Sequence, residues 1–433
     1  MVDAHASELT PALRDWVAKA SGARPLSSRR LPGGGSRLTI LVDAETADGA
    51  PLGLVLRLEG GGSHSGTSFS LEREYRVYRA LEGRGAPVPR AYGLMDDGSA
   101  LLMERLEGTS DFRALPADQQ AAIAERFMEA LGRLHAIDAS ELDLPGFERP
   151  TSPTEHATVD LGRWEALARE SCWDEPLVRY AFSRLRATAP ERVQRTVLVQ
   201  GDTGPGNFMA TPERITGLID WEFSHIGDPM DDFGWLHSRS RDQIALFEPA
   251  YPAYEAVSGL KVNQVAADYY HRMATLRCAV TVALGIRKGG ALGVIPYRHV
   301  LRTYLARLAD LLVAEAGIEV ERDALTASET PTSPLFSEAR SELRNHVLNN
   351  AGLAPRAATA AQAALIALTA LELRERFGRD AEVRDQEDRR RFLDAGAVDL
   401  PEEADRAGQV GEPRMLAFLA RRIWRERAMW PRL

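Results

Sequence analysis

The sequence predicts an α+β chain built as a small strand-rich lobe, a larger helical lobe and an all-helical C-terminal segment. Three observations carry this. The first hundred residues show apolar runs broken by Gly, Pro and Asp turns. From about residue 116 the apolar spacing changes to the helical 3–4 period. A Ser/Thr/Pro stretch, SETPTSP at 328–334, is then followed by a hundred residues that read as helix throughout. At 433 residues the chain is too long for one ordinary core, and the boundaries fall at 1–107, 108–327 and 335–433.

The elements follow in order. Residues 8–20 read as a short amphipathic helix. SRLTILVDAE and APLGLVLRLEG read as strands joined by a turn near TADGA, and GGGSHSGTS breaks the pattern. FSLEREYRVYRALEGRG has helical spacing at Phe69, Tyr75, Val77, Tyr78 and Leu81. RAYGLMDDGSALLMERLEG gives two strands around an Asp-Asp-Gly turn. DQQAAIAERFMEALGRLHAI is a long amphipathic helix, LDLPGFERPTSPTEHAT a Pro-punctuated loop, and helices resume over 160–188. Short strands carry VLVQGD and ITGLIDWE, and helices dominate 261–316.

The net charge of −9, with 44% apolar and 27% charged residues, fits a globular protein and lacks the broad basic surface of a nonspecific nucleic-acid binder. Cys172 and Cys278 stand far apart without a metal-ligand spacing and read as apolar filler. No run approaches the ~18 apolar residues of a membrane span, and MVDAHASELTPALRDW lacks a signal-peptide core. The expectation is a cytoplasmic protein with no membrane or nucleic-acid partner.

Two acids follow apolar strands. Asp202 sits in QGDTGPGN with Asn207 five positions on, and Asp220 ends ITGLID. The D-x4-N spacing places both side chains on one tight Gly/Pro loop. Hard carboxylate and amide oxygens suit Mg2+, which takes one or two protein ligands beside phosphate oxygens, and phosphoryl transfer needs in addition an acceptor-orienting acid and a cation on the nucleotide. Arg57 on the strand LGLVLRLEG and Glu74 on the helix LEREYRVY supply a strand cation and a helix glutamate. The turn in LPGGGSRLTILV, with Gly34, Gly35 and Ser36, is placed to cover phosphates, and reads equally as a plain hairpin turn. LLMERLEG, residues 101–108 with Glu104 and Leu106, is the candidate inter-lobe linker whose backbone reads adenine.

These motifs resemble the aminoglycoside phosphotransferase / choline kinase-like superfamily, which has a protein-kinase-like bilobal fold. The family pattern His-Gly-Asp-x4-Asn is similar to residues 200–207, and Asp-Trp-Glu followed by Gly-Asp-Pro-x-x-Asp matches DWEFSHIGDPMDD, residues 220–232. The resemblance covers about 25–320 and is nearest to the phosphotransferase branch associated with acyl-CoA dehydrogenases. It implies ATP and Mg2+ as cofactors, Asp202 as catalytic base, Asn207 and Asp220 as metal ligands, Arg57 as the phosphate-contacting cation with Glu74 as its partner, and Asp232 as a brace of the catalytic loop. Gln200 stands where the family usually has His, and Arg57 where many members have Lys. Glu222, His225 and Asp228 read as structural or loop residues.

The expected activity is an ATP-dependent small-molecule kinase acting on a hydroxyl. Two alternatives stand beside it: a catalytically inactive nucleotide-binding pseudokinase or regulatory module, and a true aminoglycoside phosphotransferase. Residues 251–310 hold eight cations (Lys261, Arg272, Arg277, Arg287, Lys288, Arg298, Arg302, Arg307) against three acids. That excess suits an acidic acceptor such as a hydroxy acid or hydroxyacyl-CoA better than a polycation, and reads also as solvated helix faces. The C-terminal helices, which carry no catalytic constellation, are assigned to homodimerisation or docking of a partner enzyme.

Overall fold

A computed structural model describes residues 9–31, 37–59, 69–240, 244–289, 294–329, 333–349, 355–393 and 399–431. Helix α1 (Pro11–Ser21) starts at Thr10, whose hydroxyl accepts from the Leu13 N–H, and stops at Gly22 in the left-handed region. Strands β1 (Arg24–Arg30), β2 (Arg37–Glu45) and β3 (Pro51–Glu59) follow, then α2 (Leu71–Leu81), β4 (Ala91–Leu94) and β5 (Ala100–Glu104). They form one antiparallel sheet in the order β1-β2-β3-β5-β4. Alternation along β3 sends Leu54 and Leu56 into an apolar cluster with Val42, Leu102 and Val17 of α1, and leaves Arg57 for the opposite face. Strand β1 has no counterpart in the sequence reading. It is an edge strand, RPLSSRR, which buries only Pro25 and so shows no apolar alternation.

The chain continues through α3 (Ala117–Ala136), α4 (Pro153–Ser171), α5 (Pro176–Ala187), β6 (Val197–Val199), β7 (Phe208–Ala210), β8 (Ile215–Leu218), β9 (His225–Gly227), α6 (Met230–Ser240), α7 (Ile244–Phe247), α8 (Tyr251–Ser258), α9 (Gln264–Arg287) and α10 (Val294–Ala316). Then come α11 (Leu335–Glu342), a π-helical stretch Leu343–Leu348, α12 (Pro355–Phe392), α13 (Leu400–Val410) and α14 (Pro413–Ala428). Helix α4 begins inside the stretch read as a loop to residue 158. Pro153 occupies a helix start, where a missing N–H costs nothing. Both cysteines are free thiols and half-buried rather than fully packed away.

The residues fall into two compact units, Met1–Asp160 with Pro190–His271, and Leu161–Ala189 with Arg272–Leu433. In the first unit β6 pairs antiparallel with β9, and β7 with β8. These short buried strands open two loops, 200–207 after β6 and 219–224 after β8. Among the described residues, no helix is long and apolar enough to cross a membrane.

Candidate active site

The loop after β6 turns on Gly201. Its φ is +84°, and a Cβ there would meet the Phe223 carbonyl oxygen at 2.3 Å, so only glycine fits on both counts. The loop is gripped from below by Asp232 of α6. That carboxylate accepts from Gln200 N at 2.9 Å, Gly201 N at 3.0 Å, His135 Nε2 at 3.0 Å and the Thr203 hydroxyl. Four donors fill the four lone pairs of a fully buried carboxylate. His135 in turn receives the Tyr254 hydroxyl at Nδ1, 2.9 Å away.

Asp202 therefore leaves the loop in a fixed direction. Its Oδ2 accepts from Asn207 Nδ2 at 2.6 Å and from Arg239 Nη1 at 2.6 Å, and its Oδ1 accepts from the same Arg239 nitrogen at 2.7 Å. Three contacts from two donor nitrogens leave one lone-pair position open on Oδ1. Burial pushes the Asp202 carboxyl up to about 6, against the pull of Arg239 and with a further push from Asp220. It is thus largely a base at neutral pH with a useful proton affinity.

The second loop delivers Asp220. The Ile219 N–H bonds the Asn207 carbonyl at 3.0 Å, which ties the two loops together. Asp220 has φ +63°, which no other non-glycine residue among those described shares on the positive side. Aspartate tolerates this region better than most side chains, and such strain concentrates at functional positions. Arg57 Nη2 bonds its Oδ1 at 3.1 Å, yet 29% of the Asp220 side chain stays open. Burial raises the Asp220 carboxyl, and Arg57 outweighs it to hold the group below the usual range.

Arg57 also reaches Glu74 Oε2, at 2.7 Å. Glu74 lies on the buried stripe of α2 with Leu71, Val77 and Tyr78, and is itself fully buried. Burial lifts its carboxyl despite two neighbouring guanidiniums. The second of these is Arg37 at the start of β2, which contacts Glu74, bonds Glu222 Oε2 at 3.2 Å and donates to the Phe69 carbonyl at 2.7 Å. Glu74, Asp220 and Glu222 bring one oxygen each within 4.8 Å of one another. Burial, and then the Asp220 charge, drive the Glu222 carboxyl well upward.

The hard oxygens of Asp220 and Asn207 fit a divalent cation. Asp220 is ionised and partly open, and Asn207, with its nitrogen turned to Asp202, has its carbonyl oxygen to offer. Gln200 fills the place of the usual histidine by donating Nε2 to the carbonyls of Asn207 (3.1 Å) and Ile219 (2.6 Å), while its Oε1 has no partner among the described residues. It pins both loops at once. His225 bonds Asp231 and the Phe223 carbonyl at 3.1 Å each, inside β9 rather than a loop. Asp228 accepts from Met230 N at 2.9 Å at the head of α6, and its burial pushes the carboxyl up to about 7.

The remaining expected positions divide. Gly34, Gly35 and Ser36 lie outside the described residues. Glu104 ends β5 with its carboxylate on Arg90 N at 3.1 Å, so its side chain is engaged away from the acids. Leu106 packs over Gly217 of β8, and among the described residues its main chain has no hydrogen-bond partner. Sequence reasoning passed over Arg37 and Arg239. Arg239 carried a signal, because it follows Asp232 by seven residues and so shares its face of α6.

Residues 27–274 match the model of the phosphotransferase enzyme family. Acyl-CoA dehydrogenase family member 10 of Mus musculus is 31% identical over 196 residues, which is 42% of this chain and 18% of that protein. Acyl-CoA dehydrogenase family member 11 of Homo sapiens is 28% identical over 192 residues, 41% of this chain and 24% of that protein. The match thus spans less than a quarter of either relative. Among solved structures, choline kinase LicA from Streptococcus pneumoniae has a TM-score of 0.51 at 20% identity, covering 69% of this chain and 98% of that one. A thermostable mutant of aminoglycoside phosphotransferase APH(4)-Ia has a TM-score of 0.51 at 17% identity, covering 70% and 100%. At these identities the likeness is one of fold, the kinase-like arrangement of a β-rich N-terminal sheet followed by helices.

Proposed function

Because the chain belongs to the phosphotransferase enzyme family, whose members act on alcohol groups, we propose that it is an ATP-dependent kinase of a small hydroxylated metabolite, with a hydroxy acid or hydroxyacyl-CoA as acceptor. The observation that carries this reading is the meeting of Asp202, Asn207 and Asp220 on two loops tied by one backbone bond.

Asp202 Oδ1 orients the acceptor hydroxyl and takes its proton as the oxygen attacks the γ-phosphorus, and the bond from that phosphorus to the leaving ADP oxygen breaks. Asn207 and Asp220 would hold Mg2+, which supplies charge neutralisation on the phosphate oxygens. Arg57 is the cation for the phosphates, and Glu74 fixes its direction. Gly34, Gly35 and Ser36 are assigned to the phosphate cover, and the open main chain at Leu106, next to Glu104, to adenine.

The acceptor class rests on two supports. The matched relatives carry acyl-CoA dehydrogenase names, and 251–310 has an excess of cations. The second support is reduced by pairing, since Lys261 meets Glu255 at 2.6 Å and Arg302 meets Glu426 at 3.0 Å. A second reading, a nucleotide-binding module without transfer, has one observation on its side: Arg57 and Arg239 hold Asp220 and Asp202 in ion pairs. A transfer assay with Mg-ATP and a panel of hydroxy acids, their CoA esters, sugars and aminoglycosides separates them. Phosphorylated hydroxy acid or CoA ester is the expected product. ATP binding without transfer to any alcohol would leave the second reading standing, and preferred transfer to aminoglycosides would overturn the acceptor class.

A further inference from the structure

The second unit contains a cleft of about 1110 Å³ that the proposed reaction does not use. Its walls come from α10, α11, α12, α14, the π-helical stretch and the segment that follows α10. Leu365, Ile366 and Leu373 give it an apolar floor, and Trp430 packs with Ile366 and Ala370. Trp430 is 9% exposed, and its indole N–H has no acceptor among the described residues.

The charged lining is one-sided. Five arginines border the cleft, against Asp323 alone among the acids. Asp323 is committed to Arg425 and to Arg421 at 2.7 Å, with Arg384 at 3.6 Å. Three of the arginines have carboxylate partners: Arg322 with Asp310, Arg340 with Glu372, and Arg425 with Asp323, Asp385 and Asp388. Arg427 donates to the carbonyls of Trp430 and Pro431. The Arg344 side chain is exposed and has no partner among the described residues. A cationic ligand would therefore meet no free carboxylate, whereas an anion meets an unspent guanidinium beside an aliphatic floor and the Trp430 ring.

We infer that this cleft binds an amphipathic organic anion, with an alkyl or aryl body on Leu365, Ile366 and Trp430 and a carboxylate or phosphate head toward Arg344. The volume lies just above the range usual for small-molecule sites, so a ligand of that class fits without filling it. This inference stands apart from the kinase reading, because it uses no residue of the acid–amide–acid set.

Isothermal titration calorimetry on the full chain tests it, with decanoate and decyl phosphate below their micelle concentrations, and decyltrimethylammonium and inorganic phosphate as controls. Saturable one-site binding of both decyl anions is expected, and Arg344→Glu weakens it by at least about tenfold. Thr369→Trp, which fills the cleft from α12, removes it. Circular dichroism and nucleotide binding stay as in the parent for Arg344→Glu, an exposed position. The inference is overturned if no saturable binding occurs, if decyltrimethylammonium binds as tightly as decanoate, if inorganic phosphate matches decyl phosphate, or if the folded Arg344→Glu chain binds unchanged.

Discussion

Arg239 donates one nitrogen to both carboxylate oxygens of Asp202, at 2.7 and 2.6 Å, from a position two helical turns beyond Asp232. Helix α6 therefore holds the 200–207 loop at two points, with Asp232 under its backbone and Arg239 on its acid. The second grip fixes which lone pair of Asp202 is left open. Arg239→Met is expected to lower kcat by about ten- to a hundredfold, the scale of losing one charge-assisted hydrogen bond at a reacting group. The KM for ATP stays near the parent value, and Arg239→Lys recovers part of kcat. Steady-state kinetics of the three proteins check this, and an unchanged kcat in Arg239→Met would exclude the role.

Asp202→Ala removes the group proposed to take the acceptor proton. Transfer should fall by about 10²–10⁴-fold, the usual contribution of a positioned base, while nucleotide binding by calorimetry persists. Transfer at the parent rate would be incompatible with the assignment.

Asp220→Asn keeps a side chain that tolerates positive φ but removes the charge. The chain should fold with a Tm near that of the parent and lose Mg2+-dependent nucleotide affinity. Asp220→Val adds a β-branched residue at φ +63° and should cost stability as well, on the order of 1–3 kcal/mol. Thermal melts and Mg-ATP titrations of both variants separate charge from strain.

Glu74→Ala leaves Arg37 and Arg57 without their shared buried partner. Stripping one side of such a network costs about 3–5 kcal/mol. Glu74→Gln retains hydrogen-bond acceptance and should cost less. Denaturant unfolding of the two variants gives the ranking, and equal losses would show that charge rather than packing and hydrogen bonding sets the cost.

Asp228 makes stability pH-dependent. Its carboxyl stands at about 7 in the fold against an ordinary 3.8, because it is buried. The raised value means that its favourable contribution is complete below about pH 4 and disappears as pH rises through about 7. Above that, the buried charge costs on the order of a few kcal/mol. Asp228→Asn keeps an acceptor for Met230 N. It should therefore raise the Tm at pH 8 and change it little at pH 4.5. A Tm gain of equal size at both pH values would rule out the titration of this group as its source.

The sequence determined the parts whose signals are local. Alternation along LGLVLRLEG gave β3 and set Arg57 apart from Leu54 and Leu56. The apolar stripe of α2 contained Glu74, and a Gly/Pro loop of fixed spacing joined Asp202 to Asn207. Tertiary structure alone decided the partners. Arg57 meets Asp220 across 163 positions and Arg37 meets Glu222 across 185, and no period in the chain encodes either distance. Edge strand β1 was likewise invisible, since a strand with one buried side chain has no apolar alternation. Local patterns record which face of an element is buried, whereas the identity of the group waiting on that face is set only when distant elements pack.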